Sequence, residues 1–201
     1  MVENNNQTNN YAEDAIQTHR HIKDILEYME IFVLSVCFVI VLFSFGFRLC
    51  TVSGPSMEKT LYHGEHLLVS DIFYTPKAED IVVFHHLGNQ IQEPVVKRVI
   101  AVEGERVSLS YKKDTMQVTV TGTDGTKRVL EEPYMYYDLK RIPFFPDTEY
   151  VVGEGQLFVL GDNRNHSTDS RSFEIGLVDT RSVLGKVVFR VTPFSRFGTV
   201  K

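Results

Sequence analysis

Ser56 sits in Ser53-Gly54-Pro55-Ser56-Met57, just after the chain's one long apolar run, and Lys97 follows downstream in Val95-Val96-Lys97-Arg98-Val99-Ile100. A serine hydroxyl is a weak nucleophile until a neighbouring base takes its proton. Histidine is the usual base, but His63, His66, His85, His86 and His166 fall in no familiar triad context. A lysine can take the proton once burial lowers its pKa towards neutrality. Lys97 lies in an apolar strand pattern, in which it and Arg98 point to opposite faces. Lysine can lose its charge on an inward face; arginine cannot. The pair is therefore suited to acyl transfer, with serine as nucleophile and lysine as base. Taken singly, Ser56 also reads as a turn serine after Gly-Pro, and Lys97 as a surface lysine on an edge strand.

The elements around the pair follow from the pattern of the chain. Ile31 to Phe47 is apolar except for Ser35, Ser44 and Gly46. As a helix it spans roughly 25 Å, so Leu49 and Val52 are expected to help fill a bilayer and Arg48 to snorkel to its surface. This predicts an uncleaved transmembrane anchor over 31–49, because the stretch before it is long, acidic and Asn-rich rather than short and basic. Arg20 and Lys23 flank one side, Arg48 and Lys59 the other, so charge does not set the orientation. Residues 1–30 read as a tail on the opposite side of the anchor from residues 50–201: a disordered, Asn-rich start over 1–10, then a short amphipathic helix over 11–30 carrying Ile16, Ile22, Ile25 and Leu26.

Residues 50–201 change texture. Glu65–Ser70, Asp80–His85, Val95–Val102, Arg106–Ser110, Gln117–Thr121, Leu157–Leu160 and Lys186–Thr192 are short and rich in Val, Ile and Phe. Turn signals such as His63-Gly64, Glu103-Gly104 and Gly153-Glu154 separate them. The expectation is a mostly β domain, a compact antiparallel sheet or barrel-like arrangement of short strands. Met116–Val120 and Lys127–Leu130 flank Gly122-Thr123-Asp124-Gly125 and predict a hairpin. Residues 131–150, with several aromatics and Pro133, Pro143 and Pro146, read as an ordered excursion following it.

Composition removes several classes. With 201 residues, a net charge of −5 and no basic block, nucleic-acid binding has no support. Cys37 and Cys50 would lie roughly 20 Å apart along a helix, too far for an internal disulfide. His85-His86 would point apart in a strand, which argues against a metal site. No cofactor is called for, and nothing identifies an oligomeric partner.

Three segments together resemble the bacterial type I signal peptidases of the serine/lysine-dyad kind (the S26 family). They are Gly54-Pro55-Ser56-Met57-Glu58-Lys59-Thr60-Leu61; Lys97-Arg98-Val99-Ile100-Ala101-Val102-Glu103-Gly104-Glu105; and Gly161-Asp162-Asn163-Arg164-Asn165-His166-Ser167-Thr168-Asp169-Ser170-Arg171. Gly64–Val69 and Gly185–Arg190 also fit. In this order the segments make a strong signal. The resemblance implies that Ser56 attacks the scissile carbonyl and that neutral Lys97 is the general base. Ser167 would orient the lysine amine. The oxyanion would be held by the Ser56 N–H with help from position 54, where some relatives have a serine. Gly54 leaves only backbone or water there, and one lost oxyanion donor typically costs 10²–10³ in rate. Asp162, Asp169 and Arg171 would brace the site by charge-assisted hydrogen bonds. Departures are Lys59 and Glu103, where proline is common, Glu105 for aspartate and His166 for asparagine.

The resemblance also implies substrates: secreted precursors carrying signal peptides, cut after small residues one and three before the bond. Such a peptide binds extended, as an added strand. Val52–Pro55 and the strand before Lys97 are the candidate edges, with Ile81, Val83, Val95 and Val99 as candidate pocket walls. Leu61-Tyr62, Ile72-Phe73-Tyr74 and Pro143-Phe144-Phe145-Pro146 are candidate contacts with the lipid bilayer. Cleavage after translocation would place the catalytic domain on the extracytoplasmic side of the cell membrane. Two rival readings are a processing peptidase with a narrow client, such as a pilus or conjugation protein, and a non-catalytic membrane-tethered binding protein on the same scaffold.

Overall fold

A computed structural model describes residues 2–85, 94–112, 115–136 and 147–200. The chain divides into two units at Gly46 and Phe47.

The first unit is one helix, α1 (Val2–Gly46). It replaces the expected disordered start and separate short helix with a single element. No proline or glycine interrupts the chain between Val2 and Phe45, so a helix once formed can propagate through the polar stretch. Side chains of α1 are described from Arg20 onward, except Leu42 and Phe45. Among the described residues no helix is long and apolar enough to cross a membrane.

Among its described residues the second unit has eleven strands. In chain order they are β1 (Phe47–Thr51), β2 (His66–Ser70), β3 (Ile81–Phe84), β4 (Val95–Ala101), β5 (Arg106–Lys112) and β6 (Thr115–Thr121). Then come β7 (Lys127–Val129), β8 (Thr148–Val151), β9 (Gln156–Leu160), β10 (Val178–Asp179) and β11 (Val183–Thr192). All pairings between named strands are antiparallel, and they form a seven-stranded sheet β1-β2-β11-β3-β4-β9-β10 and a four-stranded sheet β7-β6-β5-β8. The mostly β, antiparallel expectation holds, and the strands divide between two sheets.

The sequence boundaries fail in two instructive places. The helix stops at Gly46, and Phe47–Thr51 pairs with β2 in register Phe47↔Ser70 to Thr51↔His66. Val52, expected in the bilayer, is 2% exposed inside the β core. Arg48 lies 3.6 Å from Asp71. In the second place, the excursion after the hairpin returns to the sheet as β8, whose residues alternate between half-buried and exposed. Residues 137–146 of that excursion lie outside the described residues. The hairpin itself forms as expected, with Thr121 opposite Lys127.

Among the described residues, three apolar clusters fill the unit. Val52, Met57, Leu61, Leu67, Val69, Ile81, Val83, Val96 and Val187 make one. Val82, Phe84, Val99, Leu157, Val159, Ile175 and Val178 make a second. The third joins the two sheets, packing Ile100, Ala101, Phe158 and Leu160 against Val107, Leu109, Met116, Val118 and Val120. Full burial of a Val, Leu, Ile or Phe side chain contributes roughly 1.5–3 kcal/mol, so these clusters supply the main driving force for folding. β4 lies in the middle of the larger sheet and both of its faces are covered. Lys97 and Arg98 are therefore both buried, 3% and 2% exposed, although they point to opposite sides.

Candidate active site

The turn carrying Ser56 is fixed at three apolar points. Val52, Met57 and Leu61 are buried in one cluster, and the turn between them is half-buried. The Glu58 N–H donates to Pro55 O at 3.0 Å, and the Leu61 N–H to Met57 O at 2.7 Å. Gly54 has φ +80, a left-handed conformation that favours glycine. Lys59 has φ +76, which proline, locked near −65°, cannot adopt. The departure at position 59 thus belongs to the course of this turn.

Lys97 reaches the turn from β4. Its Nζ lies 2.8 Å from Ser56 Oγ and donates to Val96 O at 3.1 Å. Burial pushes its pKa down, while the carboxylates of Asp169 and Asp162 push it back up and Arg171 lowers it further. The result is about 8, against 10.5 for an ordinary lysine. When the amine is neutral, the Ser56 hydroxyl can donate to its lone pair, which is the geometry a general base needs.

The segment following β9 closes the floor. A Cβ at Gly161 would stand 2.6 Å from Ser56 O and 2.2 Å from Ser167 Oγ, so only glycine permits this approach. The Asn163 N–H donates to Ser56 O at 3.0 Å. Asp162 is fully buried and accepts from Arg98 Nε at 2.9 Å and Nη2 at 2.7 Å, with the Thr60 hydroxyl bonded to its Oδ2. Asp169 accepts from Arg171 Nε at 2.8 Å and Nη2 at 2.9 Å and from the Gly161 N–H at 3.0 Å. Burial raises the Asp169 pKa, but Arg171 and the Gly161 N–H outweigh it and hold the carboxyl below its usual range. Arg171 also donates to Arg164 O at 2.8 Å.

The expected roles divide on this geometry. Ser56 and Lys97 are brought together. Asp162, Asp169 and Arg171 form charge-assisted pairs around them, although the partner of Asp162 is Arg98 rather than a residue of its own segment. Ser167 packs over Gly161, and its hydroxyl helps hold the Asp169 carboxyl below its usual range. The Lys97 amine donates to Val96 O. The Gly54 N–H points to His63 Nδ1 at 3.3 Å. Among the described residues the Ser56 N–H has no acceptor, which leaves it as the available donor for an oxyanion. Ile81, Val83 and Val99 are buried in the core and do not line the cleft beside Ser56, whereas Val95 does. A cleft of about 170 Å³ is lined by Val52, Ser53, Ser56, Met57 and Pro94–Lys97. A larger cavity of about 540 Å³, lined by Glu79, Asp80, Arg98, Tyr134 and Lys186 among others, includes neither Ser56 nor Lys97.

Several supporting residues have no advance signal beyond their place in the segments. Tyr134 stacks on the Arg98 guanidinium at 3.8 Å. Glu132 pairs with buried Arg164, whose Nη1 donates at 3.0 Å. The Tyr136 N–H donates to Asp162 O at 2.8 Å, and the Arg164 N–H to Tyr136 O at 2.9 Å. The start of the aromatic excursion thus buttresses the floor of the site. Beneath the turn, Arg190 and Arg196 both reach Glu65 and Thr60 O.

Comparison with known proteins agrees with these segments. The family model "Signal peptidase, peptidase S26" matches residues 25–192. Signal peptidase IB of Staphylococcus aureus (strain COL) is 37% identical over 194 residues, covering 87% of this chain and 93% of that one. Signal peptidase I of Bacillus caldolyticus is 38% identical over 177 residues, covering 82% and 90%. A crystal structure of a signal peptidase I from Enterococcus faecalis V583 is 30% identical, with a TM-score of 0.43, covering 57% of this chain and 97% of that one. The chain belongs to the signal peptidase family of S26 peptidases.

Proposed function

We propose that this signal peptidase removes signal peptides from secreted precursors by a Ser56/Lys97 mechanism, cutting after small residues in Ala-x-Ala-like sites. The contact of 2.8 Å between Lys97 Nζ and Ser56 Oγ carries the reading. Neutral Lys97 takes the hydroxyl proton as Ser56 Oγ attacks the scissile carbonyl. The Ser56 N–H faces the developing oxyanion. Lysine then protonates the leaving amine, and an acyl-enzyme remains at Ser56 until water, activated by the same lysine, hydrolyses it. The substrate lies along β4. Among the described residues β9 pairs with β4 only from Arg98 onward and leaves one edge of Val95–Lys97 open to an added strand. The cleft beside that edge is smaller than a usual ligand pocket, which supports a preference for small side chains.

The pH profile follows from the lysine. Below about 8 Lys97 is protonated and cannot accept a proton. The cleavage rate of an Ala-x-Ala precursor should rise about tenfold per pH unit up to that point and level off above it. A rise centred near the ordinary lysine value of 10.5 would remove Lys97 from the role of base.

The localisation we infer is a single-pass anchor within α1, with the catalytic domain on the extracytoplasmic side of the cell membrane. Phe32, Leu34, Phe38, Ile40 and Phe43 of α1 are all more than half exposed. A helix apolar on every side needs lipid or protein around it. Ile72 and Phe73 are exposed on the domain and suit a bilayer contact. Leu61 is excluded by its burial, and residues 143–146 lie outside the described ones. Protease added to intact cells should digest the domain; full protection would reverse the orientation.

A further inference from the structure

The oxyanion site lacks a side-chain donor at Gly54, and the Gly54 N–H is turned towards His63. That leaves the Ser56 N–H, and its direction becomes decisive. It belongs to the Pro55–Ser56 peptide. In a trans peptide the C=O and N–H lie in one plane and point in opposite directions, so whatever holds the carbonyl also aims the N–H.

Two donors hold Pro55 O. One is the Glu58 N–H of the same turn, at 3.0 Å. The other is Asn163 Nδ2, at 3.1 Å, which comes from the opposite side of the site. The same amide nitrogen also lies 3.3 Å from Glu58 Oε2. Both neighbours are acceptors, so the nitrogen and not the oxygen of the Asn163 amide must face them. Asn163 is fully buried, and its own N–H fixes Ser56 O on the far side of the same residue. The peptides before and after Ser56 are thus both held by one residue. A hydrogen bond accepted at a peptide carbonyl also polarises the N–H of that peptide and strengthens it as a donor.

We propose that Asn163 is a positioning residue for the oxyanion donor: its side-chain amide orients and polarises the Pro55–Ser56 peptide so that the Ser56 N–H meets the tetrahedral intermediate. The proposal rests on Ser56 being the nucleophile. It accounts for how a site with Gly54 manages without the hydroxyl some relatives carry.

The test uses full-length enzyme in detergent, an Ala-x-Ala precursor, and a peptide aldehyde of the same sequence. The aldehyde adds to the serine Oγ and so presents an oxyanion. In Asn163→Ala, kcat should fall about 10–10²-fold, less than for loss of a whole oxyanion donor because Glu58 still holds Pro55 O. KM should stay within about threefold, and aldehyde affinity should fall in proportion to kcat. Asn163→Leu keeps the volume, removes the donor and should behave alike; it decides the matter if the alanine variant does not fold. A kcat within about threefold of wild type in a folded variant overturns the proposal. So does a loss confined to KM with aldehyde affinity unchanged. Ser56→Ala is run alongside. If it stays active, the nucleophile reading fails; if it is inactive while the Asn163 variants match wild type, only the role of Asn163 fails.

Discussion

Lys97→Ala is expected to lower kcat/KM on an Ala-x-Ala precursor by about 10⁴-fold, and Ser56→Ala by at least as much. The two side chains act as one unit across a 2.8 Å contact, so the double variant should be no worse than the weaker single one. Lys97→Arg should be as inactive as Lys97→Ala, because a guanidinium keeps its charge and cannot accept the serine proton. Among the described residues the lysine amine bonds Ser56 Oγ and Val96 O, so its removal orphans no buried charge there and the fold should survive. Steady-state kinetics with a thermal melt on each variant checks this. Substantial activity in folded Lys97→Ala would mean that another base serves Ser56.

The second large effect is on stability. Asp162→Ala should destabilise the catalytic domain by about 3–5 kcal/mol, because it leaves the Arg98 guanidinium buried without its carboxylate. Arg98 is 2% exposed and Asp162 is fully buried, so water cannot take over. Thr60 loses its acceptor in the same change, and the turn holding Ser56 loses one of its ties. For a domain of this size the melting temperature should fall by roughly 10 °C. Asp179→Ala is the contrast, since its partner Arg181 is 89% exposed at the side chain and the melt should hardly move. An unchanged melting temperature in Asp162→Ala would show that the buried pair is not a structural tie.

Much of this was legible in the sequence because short apolar runs between Gly and Pro turns leave few alternatives to an antiparallel β fold. Strands with one or two buried faces were visible. β8 and β10 were not, since one alternates between half-buried and exposed positions and the other has two residues. β1 was hidden because Phe47-Arg48-Leu49-Cys50-Thr51 continues the apolar texture of the helix. That Ser56 and Lys97 meet was legible from residue chemistry and segment order. Partners across the fold were not: the Asp162–Arg98 pair joins residues 64 apart, and Asn163 reaches Pro55 across 108. Strand alternation also misled at Arg98, because it gives the direction of a side chain but not whether that side is covered.

The most direct measurement is the product map of one Ala-x-Ala precursor, read by mass spectrometry, for wild type beside Ser56→Ala and Lys97→Ala. The dyad account predicts a single cut after the second alanine with wild type and intact precursor with both variants. Cleavage at that bond by folded Ser56→Ala, or no cleavage by wild type, would contradict it.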